Sequence, residues 1–307
     1  MDAVAGLLDG PRARGAFLLR LSFGTLWALR IQDEAPLAVL SAVRGSSLIV
    51  PAEGEPVRLE AGDVAIARGP APYTIADDPA TPIQAIVHPG QACTTPRGEE
   101  LKLIKHLGTR TWGNAADGPT VLMTGVYESA GEISARLLRA LPPLLKIDAG
   151  ALDSPLVPLL ADEVVKDAPG QEAVLDRLLD LLLIATLRAW FAREDAPGWY
   201  RAYADPVVGP ALRALHDEPA RAWTVAGLAT AGGVSRAALA RRFNDLVGEP
   251  PMSFLTGWRI ALAADLLLEP GATIGSVAAQ VGYGSPFALS TAFKRVRGVS
   301  PAQFRAT

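Results

Sequence analysis

Apolar and polar positions alternate over residues 17–31, with a break at Gly24, and short β-prone runs follow at 37–43 and 47–50. The pattern continues from Glu53 to Ile75 in pieces separated by Gly and Pro, and residues 120–127 extend it. Short strands joined by Gly/Pro turns predict a small barrel. From residue 153 the period lengthens. Residues 156–165 form one candidate helix, ended by Asp167-Ala-Pro-Gly170, and residues 171–193 form a second. In the second, Leu175, Leu179, Leu182, Thr186 and Ala189 recur at steps of four, three, four and three. Leu178, Leu183 and Ile184 make other faces apolar too, which predicts burial on more than one side. After a linker beginning Glu194-Asp-Ala-Pro-Gly198, the remaining strong patterns are helical. The fold class is therefore expected to be α+β: a barrel over 1–150, a helical segment over 151–200 and an all-α domain over 201–307.

The all-α part carries one pattern twice. Leu239 and Phe243 match Leu289 and Phe293 at an offset of fifty, and Thr224 and Ala229 match Thr273 and Ala278 at forty-nine. Each copy predicts a short helix, a Gly-containing turn and a second helix, the unit that sets a recognition helix in a DNA major groove. Thr224 and Thr273 suit the N-caps of the first helices, and Ser235 and Ser285 those of the second. Pro286 falls at a first helical position, where its missing N–H costs nothing. Gly232, Gly233, Gly282 and Gly284 fall in the turns, where positive φ favours glycine. Val225, Leu228, Leu239 and Phe243, like Ile274, Val277, Leu289 and Phe293, have core-facing spacing. The positions between them are left to face a ligand.

Residues 252–268, bounded by Pro250-Pro251 and Pro270-Gly271, suit one helix joining the two units, and the chain closes on Phe293-Lys-Arg-Val-Arg-Gly-Val-Ser-Pro-Ala-Gln-Phe-Arg305. With both units, the joining helix and this ending in place, residues 210–305 resemble the DNA-binding domain of AraC/XylS-type bacterial transcription regulators. The resemblance implies double-stranded promoter DNA and RNA polymerase as partners. It makes Ala237, Ala240 and Arg241 the base readers of the first recognition helix, with Arg236 and Arg242 near phosphates. In the second it points to Ser285, Pro286, Phe287, Ala288, Ser290 and Thr291, with Lys294 and Arg295 among the phosphate-facing cations. Relatives often carry polar or Arg side chains at the second set, so readout there is expected to be mainly apolar or shape-based.

Charge agrees with this division. Residues 206–307 hold 10 Lys and Arg against 6 Asp and Glu, whereas the remainder holds 19 against 26. A basic end on an acidic body suits one domain for phosphate and another for something else. The sequence begins Met-Asp-Ala-Val, without a basic region ahead of an apolar run. The most apolar stretch, 178–192, is interrupted by Asp180 and Arg188 and is too short to span a bilayer. No membrane partner and a cytoplasmic location are expected. A single cysteine excludes an internal disulfide framework.

In the barrel, Leu59-Glu-Ala-Gly-Asp-Val-Ala-Ile66 resembles the strand-turn-strand of cupin barrels, including those fused to AraC-type domains. Metal-binding cupins carry His on the early strand and after the Gly-Asp turn, because imidazole is a good divalent-metal ligand. Here the early strand has none, Tyr73 stands where the later His is expected, and His88, His106 and His216 form no ligand-spaced cluster. The barrel therefore reads as a metal-free, cofactor-free sensor for a small-molecule effector and not as an enzyme, the alternative being a cupin metalloenzyme fused to a DNA-binding domain. Trp27, Arg30, Tyr73 and Tyr127 fall on strand-like segments and are the candidate effector-binding residues. The alternative is a barrel filled by its own side chains. Cys93 lies in a loop-like segment where a redox-sensing thiolate is one reading and an unreactive thiol the preferred one. The helix at 171–193 either packs wholly on its own barrel or covers it with one face and pairs with a second protomer through the other. The resemblance favours the homodimer.

Overall fold

The computed structural model describes residues 17–101, 107–127, 138, 141–152, 154–193, 196–269 and 271–305. The first sixteen residues of the expected barrel domain, His106, the linker residues 194–195 and Pro270 lie outside the described residues. Described residues up to Arg193 form one unit, and those from Ala196 form another.

The first unit is built from β1 (Phe17–Phe23), β2 (Ala28–Ile31), β3 (Leu37–Arg44), β4 (Ser46–Pro51), β5 (Val57–Glu60), β6 (Val64–Arg68), β7 (Tyr73–Ala76), β8 (Ala85–Val87), β9 (Cys93–Thr94), β10 (Thr111–Gly113), β11 (Thr120–Tyr127) and β12 (Leu144–Ile147). One sheet runs β10-β1-β11-β3-β6-β12 and the other β5-β4-β7-β2-β8-β9. Their inner faces bury Leu21, Leu29, Leu40, Ile49, Ile75 and Leu122 in one core, as the two-residue period of a strand requires. The Gly62-Asp63 turn is a structural latch. Asp63 accepts from the backbone N–H of Glu60 and of Ala149, both at 2.9 Å, and pairs with Lys146 at 2.8 Å. Burial works to raise its carboxyl, but the Lys146 ammonium and the backbone donors outweigh it and hold the group below its ordinary value.

Helices α1 (Ala149–Leu152), α2 (Leu156–Val164) and α3 (Gln171–Phe191) complete this unit. The segment expected to stand apart over 151–200 is thus divided, and up to Arg193 it belongs with the barrel. The reason is packing on β11. A Cβ at Gly125 would lie 2.5 Å from Leu179 Cδ1, so glycine lets α3 lie close on the strand. Leu175, Leu179, Leu182 and Thr186 are buried. They form the barrel-facing stripe, whereas Val174, Leu178, Leu181 and Ala185, one position back, look outward. Cys93 also differs from expectation: it is on β9, paired with Val87 of β8, and buried.

The second unit is helical: α4 (Gly198–Ala204), α5 (Val208–Asp217), α6 (Val225–Ala231), α7 (Arg236–Val247), α8 (Pro251–Leu267), α9 (Ile274–Gln280), α10 (Pro286–Arg297) and α11 (Pro301–Arg305). It has two main cores. One gathers Leu212, Leu228, Leu239 and Phe243 with Phe254 and Leu255 of α8. The other gathers Val277, Leu289 and Phe293 with Ile260, Ala264 and Leu267 of the same helix. Because α8 is buried at both ends in different cores, it fixes one helix-turn-helix against the other. Among the described residues no helix is long and apolar enough to cross a membrane.

Candidate nucleic-acid interface

All four expected caps form. Thr224 accepts from Gly227 N–H at 3.1 Å, Ser235 from Ala238 at 3.2 Å, Thr273 from Ser276 at 3.0 Å and Ser285 from Ala288 at 3.1 Å. Ser276 returns a bond to the Thr273 N–H, closing a capping box. Of the four turn glycines, Gly233 and Gly282 adopt positive φ. Gly232 is needed for space instead, since a Cβ there would approach Val207 O to 2.8 Å.

These caps orient α7 and α10 so that Leu239 and Phe243, and Leu289 and Phe293, point into their cores. The opposite faces are open. Arg236, Ala237, Arg241 and Arg242 are exposed on α7 and Ala240 is half-buried. On α10, Pro286, Phe287, Thr291, Lys294 and Arg295 are exposed, as is the cap Ser285, while Ala288 and Ser290 are half-buried. The sequence-predicted contact residues thus lie along the two second helices.

The cations of residues 206–307 divide sharply. Arg213 donates to Tyr203 O, Arg221 pairs with Glu218, and Arg259 donates to Pro219 O and Arg221 O. Arg297 stacks over Phe304, Arg305 donates to Ala272 O, and Arg242 is held by Asp205. Arg236, Arg241, Lys294 and Arg295 make no hydrogen bond, ion pair or ring contact among the described residues. Every uncommitted cation of this stretch therefore lies on α7 or α10.

Arg242, expected near phosphates, is exposed but paired within its own unit. Its Nε lies 2.9 Å and its Nη2 2.5 Å from Asp205 Oδ2, a two-pronged pair. Asp205 also accepts from Val207 and Val208 N–H, each at 2.9 Å, at the start of α5. The Arg242 guanidinium, helped by these backbone donors, brings the carboxyl down to about 2. Asp205 was missed in the sequence, although an Asp two residues before an apolar helical run is a capping signal.

In the barrel, a cavity of about 50 Å³ opens among Leu29, Ile31, Tyr73, Trp112, Thr124 and Val126, with Asp33 and Gln91 at its polar edge. Of the four candidate effector residues, the cavity is lined by Tyr73 alone. The Tyr73 hydroxyl makes no hydrogen bond among the described residues, and burial, with Asp33 nearby, pushes its pKa well up. Trp27 instead stacks on Phe23 with centroids 4.3 Å apart. Arg30 lies between the inward Leu29 and Ile31, so it faces out and donates to Thr74 at 3.2 Å. Tyr127 points to the outer side of β11 and donates to Asp180 of α3 at 3.1 Å. Burial pushes the Cys93 thiol up, against thiolate formation. Asp33 and Trp112 escaped notice because one follows a strand end and the other sits on a three-residue strand. Among the described residues no group of three His, Cys, Asp or Glu is arranged to hold a metal ion.

Comparison with known proteins agrees with both halves. The cupin family profile matches residues 2–192 and a helix-turn-helix domain profile matches 228–307. Two proteins named "Putative AraC-like transcription regulator" are similar end to end. The one from Streptomyces lividans is 35% identical over 99% of this chain and 98% of its own length. The one from Streptomyces antibioticus is 34% identical over the same shares. Among solved structures, the DNA-binding domain of AdpA in complex with a target DNA is 34% identical, covering 33% of this chain and 91% of that one, with a TM-score of 0.31.

Proposed function

This chain belongs to the AraC-like transcription regulators, with a cupin domain ahead of a helix-turn-helix domain, and on that premise we propose that each protomer grips promoter DNA with both second helices, α7 and α10. The observation that carries this reading is the placement of uncommitted charge. Six cations of residues 206–307 are engaged internally, and the four that are not lie on these two helices. Arg241, flanked by the small Ala237 and Ala240, suits a two-pronged contact with guanine O6 and N7. Arg236, Lys294 and Arg295 suit phosphates, which position the protein without reading sequence. Selection of duplexes from a random pool by the full chain tests the reading. Enrichment of a defined sequence supports it, and a pool that stays random contradicts it.

In this reading the barrel senses a small molecule, performs no catalysis, and acts in the cytoplasm where promoter and RNA polymerase lie. The free Tyr73 hydroxyl supports an effector seat in the cavity. Asp33 is its one lining carboxyl group, and no Lys, Arg or His lines it among the described residues, which favours a neutral or cationic effector over an anion. At about 50 Å³ the cavity holds little more than a water or two, so an organic effector must open the barrel as it enters. That opening supplies the difference between two states that a population shift requires. The outward stripe Val174, Leu178, Leu181 and Ala185, with Val174 46% and Leu181 50% exposed, supports a homodimer through 171–193.

A further inference from the structure

We propose that Phe287 is the base-reading side chain of the second helix-turn-helix, and that it reads the 5-methyl group of thymine. The inference rests on the reading of this domain as DNA-binding and says what its second half recognises. At 81% exposure Phe287 is the most exposed large apolar side chain among the described residues. Nothing in its own unit's core covers it. It occupies the second position of α10, directly after Pro286 at the first, with Ser285 capping. In a helix-turn-helix, the N-terminal residues of the second helix are those that reach base edges.

The rest of the helix says what kind of partner covers it. Phe287, Thr291, Lys294 and Arg295 are spaced at zero, four, seven and eight, which puts them on one face, while Leu289, Ala292 and Phe293 are buried on the other. An aromatic ring followed along the same face by two uncommitted cations matches a surface that is apolar at one spot and anionic beside it. The major groove is such a surface, because only thymine shows a methyl group there and phosphates flank it. The internal repeat sharpens the contrast. At the offset of fifty, Ala237 stands where Phe287 does and Arg241 where Thr291 does. One unit thus offers a small side chain and a guanidinium, suited to guanine. The other offers an aromatic ring and a hydroxyl, suited to thymine.

The test uses the full chain and the duplex it enriches from a random pool. Each thymine in the half bound by α10 is replaced in turn by uracil, which pairs identically and lacks only the methyl. Wild type is expected to lose about fourfold in affinity at one or two positions, the worth of one buried methyl-sized group. Phe287→Ala should bind more weakly and no longer distinguish uracil from thymine, whereas Phe287→Leu should still distinguish them. Because the side chain is exposed, unchanged thermal unfolding of both variants confirms that only contact is altered. Wild-type indifference to uracil, with Phe287→Ala still weakening binding, overturns the methyl reading in favour of packing on the sugar-phosphate backbone. Unchanged DNA affinity of Phe287→Ala also overturns it and leaves the ring for a protein partner such as RNA polymerase. Failure of wild type to enrich any sequence fells the DNA-binding reading itself, an outcome distinct from the other two.

Discussion

Arg241 and Arg242 are neighbours in sequence with different employments. Arg241 is exposed and unengaged on α7, while Arg242 is locked to Asp205. Arg241→Ala is therefore expected to cost about 1–3 kcal/mol at one base position and little elsewhere. Titrating the variant against single-base changes of the selected duplex checks this, and an equal loss on every duplex would make Arg241 a phosphate contact. Asp205 belongs to stability. Asp205→Ala removes both the acceptor for two N–H groups and the partner of Arg242, and should lower stability by about 1–2 kcal/mol in denaturant unfolding. Its pH dependence has a definite sign. The native carboxyl is held down at about 2, below its unfolded value of about 3.9. The pair's contribution is then complete above about pH 4 and vanishes as pH falls through 2. The stability gap between wild type and Asp205→Asn should narrow over that interval and stay constant from pH 5 to 8. The exposed positions of α7 and α10 were legible in the sequence because they lie between core positions of a repeated helix. The Asp205–Arg242 pair was not, because its members are 37 residues apart and meet only when α7 folds back on the start of α5.

At the scale of elements, the helices announced themselves through side chains that act locally. Thr224, Ser235, Thr273 and Ser285 cap within three residues of themselves, so their role survives without tertiary knowledge. Strands β8, β9, β10 and β12 span four residues or fewer, too short to show an alternation, and exist because longer neighbours pair with them. The long helix α3 shows a mixed case. Its apolar stripe of Leu175, Leu179, Leu182 and Thr186 was visible, but which stripe meets the barrel depended on Gly125 admitting Leu179. The stripe left outside carries the dimer prediction. Leu181→Lys sets a charge in the middle of that stripe without touching the barrel core, and should convert a dimer to a monomer in sedimentation velocity with thermal unfolding unchanged. A wild-type chain that sediments as a monomer at all concentrations would leave α3 a barrel cover only.

Over the whole molecule, the basic end and acidic body seen in composition fall largely in separate units, with the boundary directly after Arg193 and not at residue 200. The family resemblance carried most of this: the double helix-turn-helix by specific motif, the barrel by its Gly-Asp turn. What the barrel holds was far less legible, because inward and outward positions differ by one residue and Trp27, Arg30 and Tyr127 fall away from the cavity while Tyr73 lines it. The charge placement yields a quantitative expectation. Four uncommitted cations facing phosphate or base give a slope of about −3 to −4 per protomer in log affinity against log salt. A slope near zero would mean that the cations of α7 and α10 do not meet DNA. The central claim, that one protomer uses both helices, is tested most directly by hydroxyl-radical footprinting of the Leu181→Lys variant on the selected duplex. With α8 fixing the two units and each second helix in its own groove segment, the account predicts two protected segments roughly 10 base pairs apart. A single protected segment at saturating protein would contradict it.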